Sequence, residues 1–211
     1  GGLGALFFVS SDFLVPWLVA AVLWWVTALW LIVQYPSQSA RWQRPDVIGL
    51  IGVVTLIPCG ASLVWLKAQS DAATVLLLLL VLIWSADIGA YFVGRRFGQR
   101  KLLPNVSPGK SVEGLVGGLV IAVIAGFATL ELMPKVDGRA LGYAGWLWLF
   151  LGIGLISVLG DLTLSMFKRS RGIKDSSQLL PGHGGFLDRL DSVFSAAPIY
   201  CGLLYLTASL K

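Results

Sequence analysis

Long apolar runs separated by short polar stretches dominate the 211-residue sequence. Runs at 13–33, 47–66, from 72 onward, 112–133, 142–167 and 186–210 each reach about 20 residues, enough for a helix to cross the hydrocarbon core of a bilayer. The pattern predicts an all-α polytopic membrane protein with about six transmembrane helices. Residues 1–71 form N-terminal helices and loops, and 72–211 form a second, chemistry-bearing region of the same unit. Pro58 and Gly60 predict a kink in the second span. Trp17, Trp24, Trp25 and Trp30 in the first are read as interfacial anchors or lipid-facing bulk. Two prolines and a glycine keep the basic stretch 100–110, RKLLPNVSPGK, out of a helix.

Within the runs, polar positions recur at helical spacing. The third span changes character at Ser85, and SADIGAYFVGRRFG places Asp87 in a helix with Tyr91 one turn on. In the fourth, Gly114, Gly118, Ala122 and Gly126 form a small-residue stripe that permits close helix packing, within the chain or between subunits. Ser157, Asp161, Ser165 and Lys168 share one stripe of the fifth span, and Asp188, Asp191, Ser192 and Ser195 one stripe of the sixth.

Composition agrees: 56% of residues are hydrophobic and 13% charged, against about 25% charged in a soluble domain. The net charge of +5 would suggest nucleic acid in a soluble protein. Here no basic-aromatic binding pattern lies outside the apolar runs, and the charge is read as cytoplasmic loops facing anionic lipid. With six spans, the loops after the first, third and fifth hold 12 of the 16 basic residues. The positive-inside rule puts them in the cytoplasm, together with the ends of helices 3, 5 and 6 that carry Asp87, Asp161 and Asp188. Cys59 and Cys201 sit in apolar spans and read as small buried hydrophobes.

One stretch resists explanation by packing. Residues 165–192, SMFKRSRGIKDSSQLLPGHGGFLDRLDS, hold 8 of the 27 charged residues and His183, the single histidine. Ionisable groups beside hydrocarbon are costly and mark functional sites by default. Carboxylates from separate helices, next to many cations, suit a metal-bound polyphosphate. Asp161 and Asp188 offer hard oxygens of the kind Mg²⁺ takes, as one ion or two. Lysines and arginines would neutralise phosphates. Gly184 and Gly185 precede a helix N-terminus, where backbone N–H groups can approach an anion, and SPGK is a weaker candidate of the same kind. Asp161 and Asp87 also have a plainer reading as polar contacts between helices. His183 can merely pack its loop, and Ser157 can bond back to a helix carbonyl.

The spacing S-x-x-K-R-x-x-x-x-K-D (Ser165, Lys168, Arg169, Lys174, Asp175) followed by P-G-H-G-G-x-x-D-R-x-D-S (Pro181 to Ser192) resembles the C-terminal signature of the phosphatidate cytidylyltransferases. The similarity extends back through WSADIGAYFVGR and VSPGKSVEG. It implies transfer of CMP from CTP to phosphatidic acid, giving CDP-diacylglycerol and pyrophosphate, with Mg²⁺, at the cytoplasmic face of a bacterial inner membrane. By the same resemblance Asp161 and Asp188 are the first metal ligands, with Asp191 and Asp87 in reserve. Lys168, Arg169, Lys174 and Arg189 would hold triphosphate or phosphatidate, joined by Lys110, Ser165, Gly184 and Gly185. Asp175 and His183 would order the loop. Family members carry further hydrophobic helices ahead of this region, so the resemblance implies a chain truncated at its N-terminus.

Two other readings compete. One is a related CTP-dependent enzyme, nucleotidyltransferase or lipid kinase, acting on another lipid. The other is a cation-coupled transporter, whose charges would lie near the midplane among inverted repeats. The clustering of charge at one face and the lack of a repeat favour the enzyme. Expected partners are the two substrates and the bilayer, with a homodimer permitted by the glycine stripe and nucleic acid excluded.

Overall fold

A computed structural model describes residues 10–37, 39–133, 141–179 and 184–209. Six long helices carry the fold: α1 (Ser11–Gln34), α3 (Pro45–Lys67), α4 (Ala72–Phe97), α5 (Val112–Leu132), α6 (Gly142–Ser170) and α7 (Leu187–Ser209). A one-turn helix α2 (Ser39–Trp42) precedes α3, and an antiparallel hairpin, β1 (Lys101–Leu103) and β2 (Ser107–Ser111), joins α4 to α5. All six long helices are long and apolar enough to cross a membrane, and the chain is an integral membrane protein. Pro58 lies inside a continuous α3.

The fold follows from where small residues let helices meet. The glycine stripe of α5 faces α4. A methyl group added at Gly118 would lie 2.5 Å from the carbonyl oxygen of Ala86, and one at Gly114 2.8 Å from that of Ala90. Farther along, Gly126 packs on Phe150 of α6 and Leu82 of α4. The stripe is therefore used within the chain, to bring α4 and α5 into backbone contact. Gly160 does the same for α6 and α7, where an added Cβ would run into both the Asp191 carbonyl oxygen and Ser195 Oγ. Ser195 Oγ donates across this seam to the Ile156 carbonyl at 2.6 Å.

Two apolar clusters complete the core. One gathers Leu14, Leu66, Leu82, Phe150 and Tyr200 from α1, α3, α4, α6 and α7. The other lies toward the end where the hairpin sits and holds Trp24, Trp25, Trp42, Val106, Leu162 and Met166. Trp24 and Trp25 are thus core residues, whereas Trp30 is 52% exposed; an aromatic belt explains the second and not the first. Trp42 is buried edge-on against Phe167 at 5.0 Å, which docks α2 under the end of α6. The hairpin within the 100–110 stretch goes beyond what the sequence pattern predicts there. Val106 buries its side chain in the second cluster and pins the hairpin to the bundle.

Candidate functional site

Five elements line one cavity of about 680 Å³, α5 through Gly114 and Leu115 and the other four through polar groups. Asp87, Tyr91 and Arg95 come from α4, Lys101 from β1, Ser107, Gly109 and Lys110 from β2, and Asp161 from α6. Local sequence explains the placement. The Ser111 side chain caps α5 by accepting the Gly114 N–H at 3.1 Å. Glu113, in the first turn, accepts the N–H groups of Gln99 and Arg100 at 3.0 and 3.2 Å. These bonds satisfy donors where α4 ends and α5 begins, and they fix the hairpin that delivers Lys110.

Lys110 Nζ pairs with Asp161 Oδ2 at 2.5 Å, and Ser165 Oγ donates to Asp161 Oδ1 at 3.2 Å. Asp87 lies in the field of Lys110 and Asp161. Asp191, on α7, lies in the field of Asp161, Asp87 and Lys110. Carboxylates from three helices thus lie within electrostatic reach of one another and of Lys110, which pairs directly with Asp161. Asp191 Oδ1 also accepts the Ser192 N–H at 2.7 Å. Tyr91 accepts a hydrogen bond from Arg95 Nη1 at 3.2 Å at the cavity wall.

Asp188 belongs to a second, outer layer. Its Oδ1 pairs with Lys168 Nζ at 2.8 Å, and its Oδ2 accepts from Ser176 N (2.8 Å), Ser176 Oγ (2.9 Å) and Gly185 N (2.9 Å). Lys168 lies seven residues beyond Asp161 on α6, about 10 Å along the axis. The structure therefore brings Asp161 together with Asp191 and Asp87, while Asp188 closes the signature loop onto α6. Gly185 is part of the same lock. Its Cα faces Ser176 and Ser177 so closely that a Cβ would overlap Ser176 Oγ. The Gly185 N–H, read from sequence as a phosphate donor, points at the Asp188 carboxylate. Gly184 adopts φ +79°, and the Asp175 carboxylate lies beside it.

Arg169, Arg171, Lys174 and Arg189 are exposed around this loop. His183 lies outside the described residues, as do Pro181 and Gly182. Ser157 is buried and donates to the Gly154 carbonyl at 2.8 Å, the helix-internal bond expected of a serine in a span. Sequence reasoning missed Glu113, Arg95 and Lys101. Only the position of Glu113 beside the N-cap Ser111 hinted at a capping role.

As a metal site, the inner layer supplies hard oxygen donors. Among the described residues no group of three His, Cys, Asp or Glu side chains is placed to hold a metal ion. Mg²⁺ itself takes one or two protein carboxylates and completes its octahedron with water and substrate phosphates.

Comparison with known proteins agrees with the motif reading. The cytidylyltransferase family matches residues 4–207. A phosphatidate cytidylyltransferase of Haemophilus influenzae is 44% identical over 190 residues, covering 87% of this chain and 66% of that protein. One of Pseudomonas aeruginosa is 44% identical over 195 residues, 89% of this chain and 68% of the relative. One of Bacillus subtilis is 46% identical over 127 residues, 60% and 45% respectively. The chain spans about two thirds of the length of the first two relatives, and less of the third. With nearly its whole length matched, this integral membrane protein belongs to the cytidylyltransferase family.

Proposed function

We propose that this chain carries the catalytic machinery of a phosphatidate cytidylyltransferase: CTP and phosphatidic acid give CDP-diacylglycerol and pyrophosphate. The names of the relatives support the substrates. The observation that carries the chemistry is the cavity holding Asp87, Asp161, Lys110, Lys101 and Arg95, with acidic and basic groups from separate elements in one water-accessible space.

In the reaction a phosphatidate oxygen attacks the α-phosphorus of CTP. A new P–O bond forms, the bond from the α-phosphorus to the α–β bridging oxygen breaks, and pyrophosphate departs with that oxygen. Phosphatidate is already anionic at neutral pH, so the reaction needs no strong general base. Its difficulty is bringing two anions together, and fixed cations meet it by electrostatic stabilisation. Arg95, Lys101 and Lys110 stand where they can take up triphosphate charge. Bound Mg²⁺ would supply further charge neutralisation, held by Asp161 with one of Asp191 and Asp87. In this reading Asp188, Lys168 and Ser176 shape the loop that closes the site, and Arg169, Lys174 and Arg189 present charge to phosphate at the surface. Asp161 lies nine residues from the end of α6, about 13 Å along the axis. A lipid head group can reach that depth while its acyl chains remain in the bilayer. The positive-inside distribution supports a cytoplasmic position for this end, and the bacterial relatives support the inner membrane.

Purified protein incubated with labelled CTP and phosphatidic acid should release pyrophosphate and form CDP-lipid. EDTA should stop the reaction, Mg²⁺ should restore it, and Asp161→Asn should abolish it with the protein still folded. Turnover that persists in EDTA, or in Asp161→Asn, rejects the site.

A further inference from the structure

The two lysine–carboxylate pairs of the site differ in a way that assigns them different jobs. Lys168–Asp188 has side chains 14% and 10% exposed, and the carboxylate holds three further donors. It is a closed structural lock. Lys110–Asp161 has side chains 25% and 28% exposed, lines the cavity, and leaves Asp161 with only the Ser165 hydroxyl as a second partner among the described residues. Its partners can separate without breaking anything else.

We infer that Lys110 is an exchangeable internal counter-ion: it occupies the Asp161 carboxylate until a metal–nucleotide complex arrives, then yields that oxygen and transfers its charge to the triphosphate. The inference rests on the reading of Asp161 as a metal ligand and adds an order of events to it. Asp161 lines the cavity with Asp87, and Asp87 and Asp191 lie in its field, so this end of the cavity would attract a divalent cation. An ammonium at 2.5 Å lowers that attraction and covers one of the donor oxygens. Free metal should therefore bind weakly. A metal that brings polyphosphate offers Lys110 a second anion in the same cavity, and the lysine need not lose its partner to release Asp161. The hairpin is built for such an exchange. Val106 anchors its turn and Glu113 its base, so the four-carbon stem of Lys110 moves and the backbone stays in place. The device makes metal and nucleotide binding cooperative, and Lys110 acts as a positioning residue for the metal as well as a contact for the phosphates.

The test is Mn²⁺ binding, followed by electron paramagnetic resonance on the full chain in detergent, with and without CTP and with no lipid substrate. In the unmodified protein, CTP should tighten Mn²⁺ binding. In Lys110→Met, Mn²⁺ alone should bind about tenfold tighter, within the usual range of coupling between sites, and the effect of CTP should shrink. Lys110→Gln, which can still hydrogen-bond to Asp161 without the charge, should do the same and covers the case in which the first variant misfolds. If both variants are monodisperse and helical and bind Mn²⁺ no tighter than the unmodified protein, the exchange is wrong. Asp161→Asn separates the two levels. It should weaken Mn²⁺ binding in every background, and unchanged binding there overturns the ligand assignment and the exchange that depends on it.

Discussion

Asp188→Asn tests whether that carboxylate locks the signature loop. The side chain now accepts four donors: Lys168 Nζ at 2.8 Å, Ser176 N at 2.8 Å, and Ser176 Oγ and Gly185 N at 2.9 Å. An amide of the same shape offers one oxygen with two lone pairs and an NH₂ group that can only donate. At least two donors lose their acceptor, and either orientation of the amide sets its NH₂ against N–H or NH₃⁺ groups. The Lys168 ammonium also loses its counter-charge in a largely buried place. Hydrogen bonds to charged groups contribute about 1.5–3 kcal/mol each, and breaking one side of a buried pair costs about 3–5 kcal/mol. Some solvent reaches the pair, so the low end, about 3 kcal/mol, is the appropriate figure. That amount acts on loop docking, because the bonds tie Ser176 and Gly185 to the first turn of α7. Hydrogen exchange at the Ser176 and Gly185 amides should therefore accelerate about 100-fold, while amides in the middle of α6 keep their protection. Lys168→Met leaves the three bonds to Oδ2 in place and should give a smaller acceleration at the same two amides. If Asp188→Asn abolishes turnover and both amides keep full protection, the loop-locking role is refuted and the carboxylate acts on metal or substrate directly.

Two further perturbations probe the frame around the inner layer. Gly118→Val adds a branched side chain whose Cβ would lie 2.5 Å from the Ala86 carbonyl oxygen, so α4 and α5 must part; overpacking of this kind costs about 1–3 kcal/mol. The thermal midpoint in detergent should fall by about 2–4 °C for each kcal/mol and activity should fall with it, whereas Val116→Ala on the exposed side of α5 should change neither. Glu113→Ala removes the acceptor for the Gln99 and Arg100 N–H groups and frees the base of the hairpin. It should lower kcat/KM for CTP with little change in the thermal midpoint, and unchanged nucleotide kinetics would show that the hairpin needs no such anchor.

Much of the frame was legible because the bilayer imposes it. Runs of about 20 apolar residues have few alternatives to a spanning helix. The four-residue recurrence of Gly114, Gly118, Ala122 and Gly126 announced a close helix contact, although it could not say that the partner would be α4. The hairpin at 101–111 was hidden for a physical reason. Its strands are too short to show alternation, and what fixes them is the burial of Val106 among residues from α6 and the capping bonds of Ser111 and Glu113. Trp24 and Trp25 misled in the opposite direction, because a bundle this small needs large side chains to fill the space beside α6 as much as it needs anchors at the interface.

The polar residues of the site were visible one by one, and their pairing was not. Helical spacing put Asp161 and Lys168 on one stripe of α6, and Asp188 and Asp191 on one stripe of α7, which invited the pairing of Asp161 with Asp188. The antiparallel course of the two helices sets Asp188 against Lys168. Going up α6 from Asp161 to Lys168 corresponds to going back down the sequence of α7, from Asp191 to Asp188. The deeper residue of each helix therefore meets the deeper residue of the other, and the outer meets the outer. Gly160 fixes that register, since it lets the Asp191 backbone come against α6 one residue before Asp161. Lys110 then reaches the deeper level from a hairpin about 50 residues away in sequence, and no local pattern could assign it to Asp161 in preference to Asp188. On the function proposed above, spacing alone could not reveal the division of labour: the outer pair, shielded and rich in donors, holds the loop, while Asp161, half-exposed at the cavity and bonded to Lys110 and Ser165, is the carboxylate placed to take a cation.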